Sequence, residues 1–499
     1  MKQKYISIIA VLLVAILMGI GIHYTQEFRF YNLESNDLFL YDGADILRKL
    51  QQVGGLSLLI TSFLTQFMKI PLVGTCMVTV LYLCVAWVIW RILRKQAHGM
   101  VMAGFSLLPV AFLYLCLEHD YYRLQGHIAY LLMLFSLWGY LSIPRNRLML
   151  RLAVGTVLVP LLYVTAGSVA VAFALSACWV ECLDRGFKGT ITLAYPVVAG
   201  AMAFFWVSTS KVDHWETVLT PLMYYNWPTT YFFPLYAWGM IPFLWMIAWG
   251  LSKFSLNVSA RCFCVVSGVV LAFYLAGNIY GKVHSKNNYR FLQEQYWVEH
   301  EEWDALIETA DRRQSTFYIS YLNLALAKKG QLVQRFRQFN QQPYTKLMMY
   351  PHPIIKNGVS LQSDVYWAWG YIAAARQAAF DANLLTPGSC NPHHLKILVQ
   401  TNLVLGAYQV AEKYIGWLEK TLFYRAWATD MRRFLHNPEA IRQDKLLGQM
   451  VASVPLTDKY IKYEGLGQDM EDILAVNPSQ KVLSQFYEVY RWMEKEEKP

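Results

Sequence analysis

The sequence predicts an all-α protein, in which a polytopic transmembrane helical bundle of about nine spans precedes a soluble α-helical repeat domain. Three observations predict this class. Of the 499 residues, 56% are hydrophobic and only 16% are charged, whereas ordinary soluble domains have about 25% charged residues. Charged residues are sparse up to residue 280 and reach a soluble density beyond it. In that second part, apolar residues recur at the three- and four-residue spacings of amphipathic helices.

The first 280 residues contain the membrane-spanning segments. A helix needs about 20 mainly apolar residues to cross a hydrocarbon core about 30 Å thick. Residues 152–183 are apolar almost throughout but too long for one span, so we predict two helices that turn near residues 165–168. The nine predicted spans are 6–22, 71–92, 100–117, 127–143, 149–164, 168–183, 190–208, 231–251 and 262–280.

The first span follows Lys2 and Lys4, which also fits a signal peptide. Residues 19–24 offer no small-x-small cleavage site, so we predict an uncleaved anchor.

The first outer loop, 23–70, contains a further apolar piece from Leu56 to Met68, which is too short to span the membrane. We predict that this piece is either re-entrant or interfacial.

The basic residues predict the orientation. With a cytoplasmic N-terminus, nine spans place most Lys and Arg of the connections inside, as the positive-inside rule requires. The chain from residue 281 to 499 then lies in the periplasm. Because the net charge of +10 is explained by topology and no concentrated basic stripe is present, we predict no nucleic-acid partner.

The C-terminal part, 281–499, reads as successive helical hairpins. In the clearest unit, Gly406-Ala407-Tyr408 forms the turn and the small Ala411 follows on the second helix. This unit resembles a tetratricopeptide hairpin, although the units are irregularly spaced and none carries the complete signature. An irregular helical domain is the alternative. Stacked hairpins usually bind proteins or peptides, so we predict such a partner.

Candidate chemistry lies in the outer loops, where most acids of the membrane half are found. The candidate catalytic residues are Glu34 and Asp37 in the first outer loop and His119 and Asp120 in the second, where Glu118 precedes them. Carboxylates with histidine can bind a divalent cation or act as general acid and base. The alternative is that these loops are simply solvated.

Cys390 is the only cysteine of the C-terminal part, 281–499, and its role stays open.

The arrangement is similar to that of polytopic glycosyltransferases that use polyprenyl-phosphate sugars. In that resemblance, Glu34 and Asp37 match the acidic pair of a long first outer loop, and the piece from Leu56 to Met68 matches its interfacial helix. The aromatic residues 224–228 match a surface for stacking sugars. The resemblance is one of fold and carries no sharp motif.

A closer resemblance covers nearly the whole chain. Residues 37–40, 54–56, 63–67, 321–330 and 402–408 resemble an uncharacterised family of multi-pass inner-membrane proteins from the Bacteroidota with a helical, tetratricopeptide-like C-terminal domain. The family has no assigned activity, so it implies an architecture and a diderm inner membrane but no catalytic residue. One departure is Val53, where a proline would be expected before the Gly-Gly turn.

The leading functional hypothesis is a binding or assembly component of the cell envelope, partnered with the lipid bilayer and with a protein or peptide. The alternative is a glycosyltransferase-like enzyme that takes a sugar from a lipid-linked donor at the outer face, with a divalent cation as an optional cofactor. No cofactor motif is evident otherwise. A transporter is disfavoured because charged residues are almost absent from the spans.

Overall fold

A computed structural model of the chain describes residues 2–97, 99–209, 212–226, 233–254, 257–310, 316–339, 341, 347–348, 356–454 and 465–497. Over these residues the protein is helical, and β-structure is limited to a single bridge between Tyr122 and Tyr225. The predicted all-α class is therefore confirmed.

The chain divides into two compact units. The first unit contains residues 1–33 and 42–285, and the second contains Glu34–Tyr41 and Lys286–Pro499. The sequence predicts a division after residue 280, close to the one at Ser285. It does not predict that a short piece of the first outer loop groups with the C-terminal helices.

The first unit is a bundle of mostly apolar helices. Its α-helices are α1 (Lys2–Asn36, whose last three residues belong to the second unit), α2 (Gly43–Leu50), α3 (Gly55–Thr65), α4 (Pro71–Leu93), α5 (Gly99–Phe105), α6 (Leu108–Cys116), α7 (Gln125–Tyr140), α8 (Leu148–Thr165), α9 (Val169–Arg185), α10 (Ala194–Ser208), α11 (Trp215–Leu219), α12 (Phe233–Leu251) and α13 (Val258–Val283). Among the described residues, six helical stretches are long and apolar enough to cross a membrane. One of them, Val169–Ser208, contains both α9 and α10. The count of nine spans stays a prediction.

The predicted break in the long apolar stretch is confirmed, because α8 ends at Thr165 and α9 begins at Val169. Gly167 lies between them with φ +92°, a conformation that favours glycine. A Cβ atom on Gly167 would also lie only 2.6 Å from the sulfur of Met223. Glycine therefore allows the chain to reverse direction at this point.

The short helix α3 has its polar face turned inward. Ser57, Thr61 and Ser62 are buried, whereas Leu56 and Phe63 are exposed. The hydroxyl groups of Ser57 and Ser62 donate hydrogen bonds to carbonyl oxygens one turn earlier, 2.7 and 3.0 Å away. Apolar side chains on the outside and hydroxyls on the inside suit an element surrounded by hydrocarbon rather than by water.

The turn before α3 requires its two glycines. Gly54 has φ +70°, and its amide donates a hydrogen bond to the carbonyl oxygen of Tyr163 at 3.0 Å. A Cβ atom on Gly55 would lie 2.4 Å from the carbonyl oxygen of Leu50. The turn thus forms with Val53 in place of the expected proline.

The second unit consists of helices that follow one another in hairpins. They are α14 (Lys286–Glu299), α15 (Trp303–Glu308), α16 (Thr316–Lys328), α17 (Leu332–Arg335), α18 (Lys356–Trp369), α19 (Ile372–Leu384), α20 (Pro392–Val404), α21 (Tyr408–Glu419), α22 (Arg425–Met431), α23 (Pro438–Gln443), α24 (Leu447–Val451), α25 (Leu466–Val476) and α26 (Lys481–Glu497). Neighbouring hairpins pack on one another, and α26 packs on α16, α17 and α18.

Four of these hairpins share one turn geometry. In each, an amide donates to the carbonyl oxygen five residues earlier, as in a Schellman motif. The residue before that amide has positive φ and is glycine in three of the four turns. The bonds are Glu302 to Trp297, Gln331 to Leu326, Tyr371 to Tyr366 and Ala407 to Asn402, at 2.8 to 2.9 Å. The unit therefore repeats a hairpin at uneven intervals, and its tetratricopeptide likeness stays a prediction.

Candidate functional site

The segment Glu34–Tyr41 belongs to the second unit, and its residues are buried or half-buried except for Tyr41, which is exposed. After α1 ends at Asn36 the chain leaves regular secondary structure until α2 begins. Leu38 is buried in the same apolar cluster as Leu395 and Leu418 of the hairpin α20–α21. The second unit thus includes the last three residues of α1 and the non-helical residues 37–41, all within what the sequence predicts as an outer loop.

Polar contacts fix both ends of this segment. The hydroxyl of Tyr424 donates to the two carboxylate oxygens of Glu34, at 2.9 and 3.0 Å. The ammonium group of Lys356 donates to the side-chain oxygen of Asn36. At the other end, the amide of Tyr41 donates to the carbonyl oxygen of Lys420 at 2.6 Å. Glu34 is only 1% exposed, so its carboxylate is used for attachment rather than presented to solvent.

A buried ionic network lies in the same unit, across α14, α16, α18 and α20. The imidazole of His393 contacts Asp364 at 2.6 Å and Glu299 at 3.5 Å, and the hydroxyl of Tyr321 donates to the other oxygen of Asp364 at 2.9 Å. Burial lowers the pKa of His393, but the carboxylates of Glu299 and Asp364 outweigh it and raise this pKa to about 10. The histidine is therefore a cation at neutral pH that joins several hairpins.

The first unit has its own polar cluster on the predicted outer side, which we call the outer cluster and define as Gln26, Arg29, Glu118, Asp120 and His284. Arg29 contacts Asp120 at 2.6 Å and Glu118 at 3.3 Å. Glu118 also accepts a hydrogen bond from the amide of Gln26 and shares one of 2.8 Å with Nδ1 of His284. The cluster thus joins α1, the connection after α6 and the end of α13. Asp120 is its more exposed acid, because 22% of its side chain is accessible against 2% for Glu118.

His119 is next to this cluster but faces aromatic rings. Its imidazole meets Tyr225 edge to face, with ring centroids 5.3 Å apart. Burial lowers the pKa of His119, with a smaller opposing effect of Asp120. A neutral imidazole can accept a proton, so His119 and Asp120 are chemically suited to proton transfer.

The prediction that residues 224–228 form a surface for stacking sugars is wrong for Tyr224 and Tyr225. Tyr224 and Tyr225 are buried, and the hydroxyl of Tyr224 donates to the carbonyl oxygen of Ala166 at 2.8 Å. The loop instead pairs with residues 121–123 through backbone hydrogen bonds. Both rings belong to the buried apolar core because hydrogen bonds hold this loop against the α8–α9 turn and residues 121–123. Trp227 and Pro228 lie outside the described residues.

Of the four predicted site residues, two lie in the first unit and two lie in the second. Glu34 and Asp37 belong to the second unit, whereas His119 and Asp120 belong to the first. The shared site stays a prediction. Within the part of the chain that the structure describes, no group of three His, Cys, Asp or Glu side chains is arranged to hold a metal ion.

Three residues that contact the predicted site residues or their neighbours in the structure were not selected from the sequence: Arg29, His284 and Tyr424. Arg29 lies in the predicted first outer loop, which also contains Arg48, Lys49 and Lys69, so its position did not distinguish it. His284 follows the last span and carries no motif. Tyr424 lies far from Glu34 in the sequence, so only the tertiary structure reveals their contact.

Comparison with known proteins gives a family but no activity. No curated protein and no solved structure matches the chain. A family model does match, over residues 2–496, and its description is "Family of unknown function (DUF6057)". Because that match spans nearly the whole sequence, the chain belongs to the family of unknown function DUF6057.

Proposed function

We propose that this protein is a multi-pass component of a bacterial inner membrane whose helical unit lies in the periplasm, binds a protein or peptide and contributes to envelope assembly. The observation that carries the proposal is that Glu34–Tyr41 belongs to the second unit, where Glu34, Leu38 and Phe39 are buried. A helical unit that holds a short segment of chain through backbone and side-chain contacts has the properties of a peptide-binding domain.

The repeated hairpin turns support a tetratricopeptide-like unit, because stacked hairpins create extended binding surfaces. The charge bias of the connections and the resemblance to a family from the Bacteroidota support the inner membrane and the periplasmic placement.

An exposed apolar surface on the second unit gives the partner a place to bind. Phe380 and Leu384 lie one turn apart on α19 and are 48% and 60% exposed. Val410 on α21 is exposed as well. Neighbouring large apolar side chains on the surface of a water-exposed helical unit, such as Phe380 and Leu384, are typical of protein interaction sites.

The test is photo-crosslinking in cells. A photoreactive amino acid at Phe380 should give a discrete adduct, and Leu384→Asp in the same chain should reduce its yield by about tenfold, equivalent to about 1.4 kcal/mol of binding free energy. The protein level in the membrane should not change. A photoreactive residue at the exposed Glu439 on α23 is the matched control and should not give this adduct. Equal adducts at both sites, or a yield that is insensitive to Leu384→Asp, would contradict the proposal.

A transferase that uses a lipid-linked sugar is the second candidate, and the outer cluster favours it. Asp120 is a partly exposed carboxylate that Arg29 holds in place, and His119 is its neighbour in sequence. Glu34, by contrast, is engaged by Tyr424. If the protein is a transferase, Asp120 is therefore a better candidate for the general base than Glu34.

This candidate is tested by reconstituting the full chain with a radiolabelled polyprenyl-phosphate sugar and measuring sugar release or transfer, with and without a divalent cation. Asp120→Asn should lower the rate by about 10²-fold or more, the usual effect of losing a general acid or base. Asp213→Asn, an exposed acid of another outer connection, should leave the rate unchanged. Absence of turnover by the unaltered chain, or equal rates for both variants, would remove the candidate.

A further inference from the structure

An open groove of about 300 Å³ lies between α1, α4, α6 and α13 of the first unit. Its walls are mostly apolar and include Leu17, Ile22, Val110 and Phe273. In the most apolar windows of α1 and α13, only 11% of the residues are buried. The groove is therefore bordered by two helices whose outer surfaces suit hydrocarbon.

One end of the groove is polar. Thr25 and Tyr114 line it there, and the hydroxyl of Tyr114 donates to the hydroxyl of Thr25 at 2.9 Å. Tyr280, which also lines the groove, stacks on His284 with ring centroids 4.7 Å apart. His284 belongs to the outer cluster through its bond to Glu118. The groove is thus apolar along its length and reaches the outer cluster at one end.

Two glycines keep the groove open. Gly21 on α1 and Gly277 on α13 both line it, and a Cβ atom on either would have no other atom within 4 Å. Small residues in membrane helices commonly allow close helix packing. Gly104 and Gly268 do so here, because a Cβ atom on either would collide with the backbone of the facing helix. Gly21 and Gly277 border open space instead.

We infer that this groove binds the hydrocarbon chain of a lipid, with the polar head of the lipid at the outer cluster. Apolar walls offer water too few hydrogen-bond partners, so a hydrocarbon chain is the occupant that fits them. The outer cluster contains a guanidinium, an amide and an imidazole, which can donate hydrogen bonds to a phosphate head, and carboxylates, which can accept one from a hydroxyl head. The site is independent of the peptide-binding function proposed for the second unit.

The inference is tested on the purified full chain with two photoreactive lipids used separately, a glycerophospholipid and an isoprenyl phosphate, each with a diazirine in its hydrocarbon chain. We expect labelled peptides from α1, α6 and α13 with at least one of the two lipids. The lipid that labels these peptides identifies the source of the chain.

Leucine at the two glycines should fill the groove. Gly21→Leu with Gly277→Leu should lower labelling of α6 by about tenfold, the factor that corresponds to about 1.4 kcal/mol. Gly200→Leu is the matched control, because Gly200 is also an exposed helical glycine with no atom near its Cβ position but does not line the groove. It should leave labelling unchanged.

Two results would overturn the inference. One is labelling spread over all apolar helices without enrichment in α1, α6 and α13. The other is equal labelling of α6 in the double variant, the control and the unaltered chain. If the double variant does not insert, Ala111→Phe narrows the groove from the α6 side and has the same expected result.

Discussion

Glu34 shows how the surroundings of a residue decide its role. A carboxylate in an outer loop can bind a cation or abstract a proton, yet here both oxygens accept a hydrogen bond from the hydroxyl of Tyr424 in a buried site. A hydrogen bond to a charged group contributes about 1.5–3 kcal/mol, and loss of the hydroxyl would leave the buried carboxylate without that donor. The residue is thus an attachment point of the segment Glu34–Tyr41.

At the same scale, His393 makes the stability of the second unit pH-dependent. Its pKa in the folded state, about 10, is higher than the ordinary value of 6.5 expected in the unfolded chain. Its contribution is therefore complete below pH 6.5 and is lost as the pH rises through 10. At pH 7, His393→Gln should lower the free energy of unfolding by about 2–4 kcal/mol, since one pKa unit corresponds to about 1.4 kcal/mol.

Thermal unfolding of the unaltered protein and of His393→Gln, each at several pH values, measures this effect. The difference in melting temperature should shrink between pH 7 and pH 10. His300→Gln serves as the control, because His300 is exposed, and it should cause no comparable pH-dependent difference. A difference for His393→Gln that stays constant across this range would contradict the assigned ion pairs.

At the scale of the element, the hairpin turns depend on backbone conformation. Gly406 has φ +72° between α20 and α21, whereas Gly416 lies inside α21. Neither has an atom within 4 Å of its Cβ position, so alanine fits sterically at both. We expect Gly406→Ala to lower the free energy of unfolding by about 1 kcal/mol and Gly416→Ala to raise it by about 0.5–1 kcal/mol.

Denaturant unfolding of the two variants, compared with the unaltered chain, measures both changes. The opposite signs are the diagnostic result, because the two substitutions are chemically identical. Stabilisation by Gly406→Ala would mean that the turn does not need the left-handed conformation.

At the scale of the whole molecule, the predicted topology gives a direct labelling test. Glu412→Cys, on the surface of the second unit, should react with a membrane-impermeant maleimide applied from the periplasmic side, because the positive-inside rule places that unit outside. Arg94→Cys, in the basic connection after α4, should react only after the inner membrane is opened. The chain with its native cysteines supplies the background signal. The reverse pattern would overturn both the orientation and the periplasmic proposal.

The sequence by itself determined the helical class, the apolar first part, the break between α8 and α9 and the hairpin turn at Gly406. These features are local: each depends on residues close together in the chain, on helical period, or on a glycine that permits positive φ. The sequence also selected Asp120, as an acid in a predicted outer connection, and its role as a site residue stays a prediction.

Only the tertiary structure decided which distant residues meet. It joined Glu34 to Tyr424, Arg29 to Asp120 and His284 to Glu118, and it buried the aromatic rings of Tyr224 and Tyr225. It also assigned Glu34–Tyr41 to the second unit. The physical reason is that a side chain's local sequence fixes its chemistry, whereas its burial, its partners and its charge state depend on the packing of elements far away in the chain.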